Sequence, residues 1–147
     1  MKRVIQFKFK PNSIQSIILK ELTKATSKLW NIANYQRKNY DKNSGLPYPN
    51  WYYQKRILKD TYWYKQLPSQ SAQELLNILN QSWKSFFKLI RVSNVQNKPN
   101  SPKFKHIPFN IRFLNNSFRI RNNHLLLTLS KQFKLYLREK YNINEKY

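Results

Sequence analysis

The chain has no cysteine, a single glycine and only six acidic side chains among its 147 residues. Without thiols there is no disulfide framework, zinc ribbon, redox motif or thiol nucleophile. Gly45 alone cannot build a glycine-rich phosphate loop or a dinucleotide fingerprint, since each needs several glycines at fixed spacing. Long apolar runs are missing too, and nothing approaches the roughly 18 residues of a membrane span. Lys8 and Lys10 interrupt any signal-peptide core behind the opening MKRV. The expected address is therefore cytoplasmic, with no membrane partner.

Negative charge is the scarcest commodity. Lys and Arg number 28 against 6 Asp and Glu, which gives a net charge of +22. Lys, Asn, Ile, Tyr and Phe are all abundant, as in a product of an A/T-rich genome. Such a bias inflates lysine, but it does not remove Asp and Glu, whose codons tolerate A/T. The acid deficit is therefore the informative half. Self-repulsion on this scale costs stability unless a polyanion compensates. The basic residues run along the whole chain and do not gather beside one amphipathic anchor, which favours nucleic acid over a membrane surface. A hydrophobic content of 40% and an aromatic content of 16% exclude a disordered basic tail. The length suits one domain with a buried core.

Catalytic constellations are not evident. The acids Glu21, Asp41, Asp60, Glu74, Glu139 and Glu145 form no pair at helical spacing. Metal-dependent phosphodiester cleavage needs carboxylates that hold ions about 3.5–4 Å apart. His106 and His124 stand alone, and no serine sits in a nucleophile elbow. No catalytic residue, metal or cofactor is expected, and the chain reads as a non-enzyme. What it does carry is basic residues interleaved with aromatics. Trp51, Tyr52, Tyr53, Lys55 and Arg56 form one cluster, and Lys103, Phe104, Lys105 and His106 another. Arg112, Arg119, Arg121, Lys134 and Arg138 alternate with apolar residues further on. Lys and Arg neutralise phosphates, aromatic rings stack on bases, and Asn and Gln can read base edges.

The periodicity changes along the chain. Ile5, Phe7 and Phe9 alternate with polar residues and predict a strand over 2–10. Pro11-Asn12-Ser13 then opens a helix, with Ile18, Leu22, Ala25 and Leu29 in its apolar stripe and Lys20, Lys24, Lys28 and Asn31 on another face, running to about Tyr40. A loop follows over 41–49. Residues 50–67 predict short helices, capped by Asn50 and Asp60. A further helix begins at Pro68-Ser69, with Ser71 and Glu74 at capping-box spacing. Its apolar face runs from Ala72 through Leu79 and Trp83 to Phe87 and Ile90. Residues 93–103 form a linker. Alternation returns at 107–113, 118–121, 125–129 and 133–137, with Asn115-Asn116 and Asn122-Asn123 as turns. The last residues, 139–147, predict a frayed end.

The expected fold class is α+β: a small antiparallel β-domain, or partial barrel, with a helical-bundle insertion after its first strand. The β-domain would comprise residues 1–10 and 101–140, the insertion 11–100 and the tail 141–147.

Three segments resemble one known family. LPSQSAQELLNILNQSWKSFF (Leu67 to Phe87), SPKFKHIPFNIRF (Ser101 to Phe113) and the opening FKFKPNSIQSIILKELTKATSKLWNIANYQRKNY (Phe7 to Tyr40) agree in order and spacing with TnpB proteins, the RNA-guided nucleases of small insertion sequences. Asn31 or Asn34 would occupy the asparagine that ends the family's first long helix. The family's opening region is commonly described as a helix-turn-helix and its members as transposases. In the family a RuvC-like nuclease with three acids and a four-cysteine zinc ribbon follows this part, and neither is present in these residues. The glycine that the family places before its proline-basic motif is replaced by Asn100-Ser101.

The resemblance implies a wedge β-domain with an inserted recognition domain. Those parts bind structured guide RNA and the guide–target duplex and help read double-stranded DNA beside the target, while base pairing reads sequence. Carried over by residue, it directs Ser69, Gln73, Asn77, Asn80 and Lys84 toward nucleic acid and Lys103 and Lys105 toward phosphates. Charge and alternation add Arg112, Arg119 and Arg121. The aromatic-basic cluster adds Tyr52, Tyr53, Lys55 and Arg56. Two alternatives stand beside this reading: an unrelated small basic RNA-binding protein, or a truncated relic without function.

Overall fold

A computed structural model describes residues 2–92, 98–106 and 108–144. Two long helices dominate it. Helix α1 spans Ser13–Lys38 and opens on a capping box, in which the Asn12 side chain accepts from the Gln15 N–H and the Gln15 side chain accepts from the Asn12 N–H. Helix α4 spans Ser69–Val92. Between them, α2 (Trp51–Leu58) is capped by Asn50 and α3 (Tyr62–Lys65) follows Thr61. Two strands, β1 (Phe118–Arg121) and β2 (His124–Leu127), form an antiparallel hairpin, and helix α5 (Lys131–Tyr141) closes the described chain.

The α+β class is as expected, although the sheet is one hairpin and no barrel is formed by the described residues. Asn122 and Asn123 take positive φ values of 50° and 60° at its turn. That is the backbone a two-residue hairpin loop requires and asparagine tolerates.

Three predicted strands take another form. Residues 2–10 pair with none of the described residues, and Ile5, Phe7 and Phe9 are 83%, 67% and 56% exposed. Alternation describes one face of a strand, but a strand persists only where a ladder satisfies its backbone. In 107–113, Ile107 lies outside the described residues, and the rest form no ladder. Phe109, Ile111 and Phe113 instead lie half-buried against the helical core, and the Phe109 N–H donates to the Thr23 carbonyl at 3.3 Å. An extended segment laid across a helix also buries every second residue, so its signature matches a strand's. Residues 133–137 belong to α5. Phe133 and Leu137, four apart, are buried, while Leu135 is exposed, which is the helical outcome of an ambiguous pattern. The Ser130 hydroxyl accepts from the Phe133 N–H and fixes the start of α5.

Smaller corrections concern ends. Helix α4 starts at Ser69, so Ser71 sits within its first turn, and its buried hydroxyl finds no partner among the described residues. Thr61, not Asp60, precedes α3. The apolar face of α4 is buried only as far as Trp83, with Phe86 half-buried and Phe87 and Ile90 exposed. The tail is ordered helix through Tyr141, with Asn142 as a left-handed cap and Ile143 against the core. Of the expected linker, 93–97 lie outside the described residues, as do 145–147 of the expected frayed end.

One apolar core joins α1, α4 and α5. Leu22, Leu29, Leu76, Leu79 and Leu137 are fully buried, and Phe133 nearly so. Two polar groups inside it set the register. The Arg37 guanidinium is 4% exposed, donates to Gln54 Oε1 at 2.9 Å and Asn80 Oδ1 at 3.0 Å, and faces the Tyr48 ring. Burial pushes its pKa down. Glu21 receives the hydroxyls of Tyr136 at 2.9 Å and Tyr141 at 2.6 Å, with Lys140 Nζ 3.7 Å away. Burial works against its charge, but the two hydroxyls and the ammonium prevail and hold the carboxyl below the ordinary value of 4.5.

The Glu21 clamp ties α5 to α1, and removing its charge tests this. Glu21→Gln is expected to cost about 2 kcal/mol at neutral pH in urea unfolding. The folded-state pKa is depressed, so the contribution is full above 4.5 and disappears as pH falls through the lower folded value. Wild type and variant should converge as pH falls below that lowered value. A constant difference between them down to pH 3 would mean that the carboxylate is not the stabilising group.

Candidate nucleic-acid interface

The surface of interest is built where the segment after residue 100 crosses α1. Three side chains grip its backbone. The Trp30 indole donates to the Lys103 carbonyl at 3.0 Å, and the Asn34 amide donates to the Pro102 carbonyl at 2.8 Å. Asn31 donates to the Lys105 carbonyl at 2.8 Å and accepts its N–H at 2.7 Å. Trp83 of α4 holds Asn34 from behind, its indole N–H 2.9 Å from Asn34 Oδ1. Lys38 Nζ donates to Ser101 Oγ at 2.7 Å. These spacings of three and four residues lie on one face of α1, so the helix presents a row of groups that matches an extended backbone.

That crossing creates a cleft of about 390 Å³ lined by Lys20, Lys24, Lys28, Lys105, His106 and Asn31, with no carboxylate among the described residues of its wall. Lys20, Lys24 and Lys28 recur every four residues and stack along α1. Lys105 Nζ lies 5.1 Å from the Trp30 ring centroid and 4.6 Å from that of Phe109, which directs the ammonium along the cleft wall. Closely spaced lysines without acids repel one another, and an anion relieves that cost. The row on α1 was visible as a polar face, but its meeting with Lys105 and His106, 77 or more residues away, had no local signal.

A second basic cleft, of about 440 Å³, lies between the starts of α4 and α5. Lys59, Lys65, Lys131 and Ser69 line it, and Ser130 Oγ donates to the Lys65 carbonyl at 2.7 Å. The Lys65 ammonium is also 3.6 Å from Asp60, an exposed pair of little strength.

The predicted site residues are distributed as follows. Lys105 joins the first cleft and Ser69 the second. Lys103 projects to solvent beside the first, while its carbonyl serves Trp30. On α2, Tyr52 is exposed and Tyr53 half-buried; the Lys55 ammonium covers the Trp51 ring at 4.3 Å, and the Arg56 guanidinium lies 5.6 Å from the Tyr53 centroid. Gln73 and Asn77 are half-buried on α4, the Gln73 carbonyl accepting the Trp51 indole N–H at 3.0 Å. Asn80 is 7% exposed and accepts from Arg37 and from the Trp51 N–H, so its acceptor is used inside the molecule. Lys84 is exposed. Arg112 faces Glu74 at 3.4 Å. Arg119 and Arg121 share one face of the hairpin, since they pair with Leu126 and His124. They stand apart from both clefts.

Among the described residues no group of three or more His, Cys, Asp or Glu could hold a metal ion, and no helix is long and apolar enough to cross a membrane.

The asparagine grip makes a direct prediction. Asn31→Ala removes both bonds to Lys105, and Asn34→Ala strands the buried Trp83 indole. Each is expected to cost about 1–3 kcal/mol in urea unfolding. Native-state hydrogen exchange should show the Lys105 amide losing its protection in Asn31→Ala. Retained protection there would show that the segment is held by other contacts.

No family model, no curated protein and no solved structure matches the chain.

Proposed function

We propose that this protein binds nucleic acid, with the lysine cleft between α1 and Lys105, His106 and Pro108 as the track for the phosphate backbone. One observation carries the reading: four lysines line a concave surface with no carboxylate among the described residues of its wall, in a chain of net charge +22. A polyanion with regularly spaced charges is the ligand that such a row relieves, through counterion release. The second cleft and the hairpin arginines add basic surface apart from it.

The finer proposal is that the chain acts as the nucleic-acid-binding N-terminal portion of a TnpB-like RNA-guided endonuclease, holding structured guide-type RNA and DNA flanking a target. It rests on the three resembling segments. The grip of Trp30, Asn31 and Asn34 on residues 102–105 supports it, because it brings two of those segments into contact. The cleavage chemistry of that family is not proposed for these residues.

Two measurements test the proposal. Changing Lys20, Lys24 and Lys28 together to Ala leaves the core untouched. It should lower the slope of log affinity against log salt by about 2–3 units on a structured RNA. An unchanged slope would remove the cleft from the interface. For the finer proposal, the protein is expressed with its native flanking DNA and washed at rising salt, and the bound RNA is sequenced. One discrete RNA from the neighbouring DNA, retained above about 0.3 M salt, is expected. A smear of cellular RNA released at low salt would overturn the guide-binding proposal and leave a nonspecific polycation.

A further inference from the structure

A third cavity, of about 270 Å³, differs from the two basic clefts in chemistry. It lies between the end of α1, the 41–49 loop and α2. Tyr35, Tyr40 and Tyr53 line it together with Leu46, Ile57 and Asn39. Among the described residues no lysine or arginine lines it, although the chain has 28 of them, and the charged residue in its wall is Asp41. A phosphate has no partner there. The walls are aromatic and aliphatic, and much of that surface is unspent, with Tyr35 and Leu46 each 60% exposed.

The cavity is preformed. Tyr40 Oη donates to the Leu46 carbonyl at 3.2 Å and closes the loop on the helix. Asp41 Oδ1 accepts from the Asn43 N–H at 2.9 Å, and Gly45 supplies the left-handed turn with φ 73°. Edge groups are available. Asn39 spends its amide N–H on the Tyr35 carbonyl at 3.0 Å, which leaves its side-chain oxygen able to accept. Just beyond the rim the exposed Arg56 guanidinium lies over the Tyr53 ring. The volume falls below the roughly 300–1,000 Å³ of drug-sized sites and suits one heteroaromatic ring system.

We propose that this cavity takes a single unstacked nucleobase of a single-stranded nucleic acid, with the adjoining phosphate toward Arg56. The inference rests on the nucleic-acid reading above and adds a base-dependent contact to its charge-dependent one. Every base has a π-face that tyrosine rings can stack on, so the site is expected to tolerate sequence. A neutral base enters a wall that repels phosphate. An organic cation would suit the tyrosines and Asp41 but must approach against the field of a +22 chain.

The test uses fluorescence anisotropy with two labelled 12-residue DNA strands of equal charge, one bearing bases and one fully abasic. Wild type should bind the base-bearing strand about 5–100-fold more tightly at the same salt. Tyr35→Ala and Tyr53→Ala should abolish most of that ratio, while Tyr53→Phe keeps it, and none of the three should change the salt slope. Thermal melts of the same variants confirm folding, and the exposed Tyr35 gives a variant that leaves the core intact. The lysine triple variant should weaken both strands alike. Equal binding of the two strands by wild type, or a ratio unmoved by both alanine variants, would overturn the pocket while leaving the phosphate track standing. Failure of wild type to bind either strand would overturn the nucleic-acid reading and the pocket with it.

Discussion

The structure depends on the row of Trp30, Asn31 and Asn34 that holds the backbone of residues 102–105 against α1. An extended segment outside a sheet must find partners for its N–H and C=O groups, or pay for burying them unpaired. Here side chains take the place of a neighbouring strand. Asn31 is suited to this because its amide carries a donor and an acceptor, so it bonds the Lys105 carbonyl and N–H together, as a paired strand would. Trp83 fixes Asn34 and thereby couples the crossing to α4. Phe109 then settles beside Trp30, with ring centroids 5.2 Å apart. The same crossing carries Lys105 and His106 to the lysine row of α1.

The distribution of charge follows from that frame. A chain with 28 cations and 6 acids can pair few of them. Glu21 is kept inside, where two tyrosines and Lys140 make it the joint between α1 and α5. Glu74 and Asp60 meet Arg112 and Lys65 on the surface. The single deeply buried cation, Arg37 among the described residues, is answered by amides and a ring, not by a carboxylate. Its neutral partners therefore leave the positive field of the molecule undiminished. Among the described residues, lysines gather in two clefts, and none lines the tyrosine-lined cavity. Separating lysine-lined clefts from an aromatic cavity whose charged wall residue is Asp41 is the arrangement on which the proposed reading rests.

Much of the helical part was legible in the sequence because its signals are local. The stripe through Ile18, Leu22, Ala25 and Leu29, the Asn12 and Asn50 caps and the face through Leu75, Leu76 and Leu79 depend on residues within a few turns. The Asn122-Asn123 turn is equally local, since only positive φ closes so short a loop. Charge too is a property of composition, and it pointed to a polyanion before any geometry was known.

Alternation, by contrast, says only that every second side chain meets something apolar, and it cannot name the partner. Residues 2–10 have no ladder, 108–113 lie on a helix, and 133–137 became one, from patterns that look alike in one dimension. The interior place of Asn80 was equally hidden, because a polar residue on a polar stripe gives no sign that a buried arginine awaits it. Composition and periodicity determined that this is a basic protein with a helical core and an asparagine-turned hairpin. Only tertiary structure decided which cations share a surface, because that depends on hydrogen bonds between residues 68–74 positions apart, beyond the reach of any local pattern.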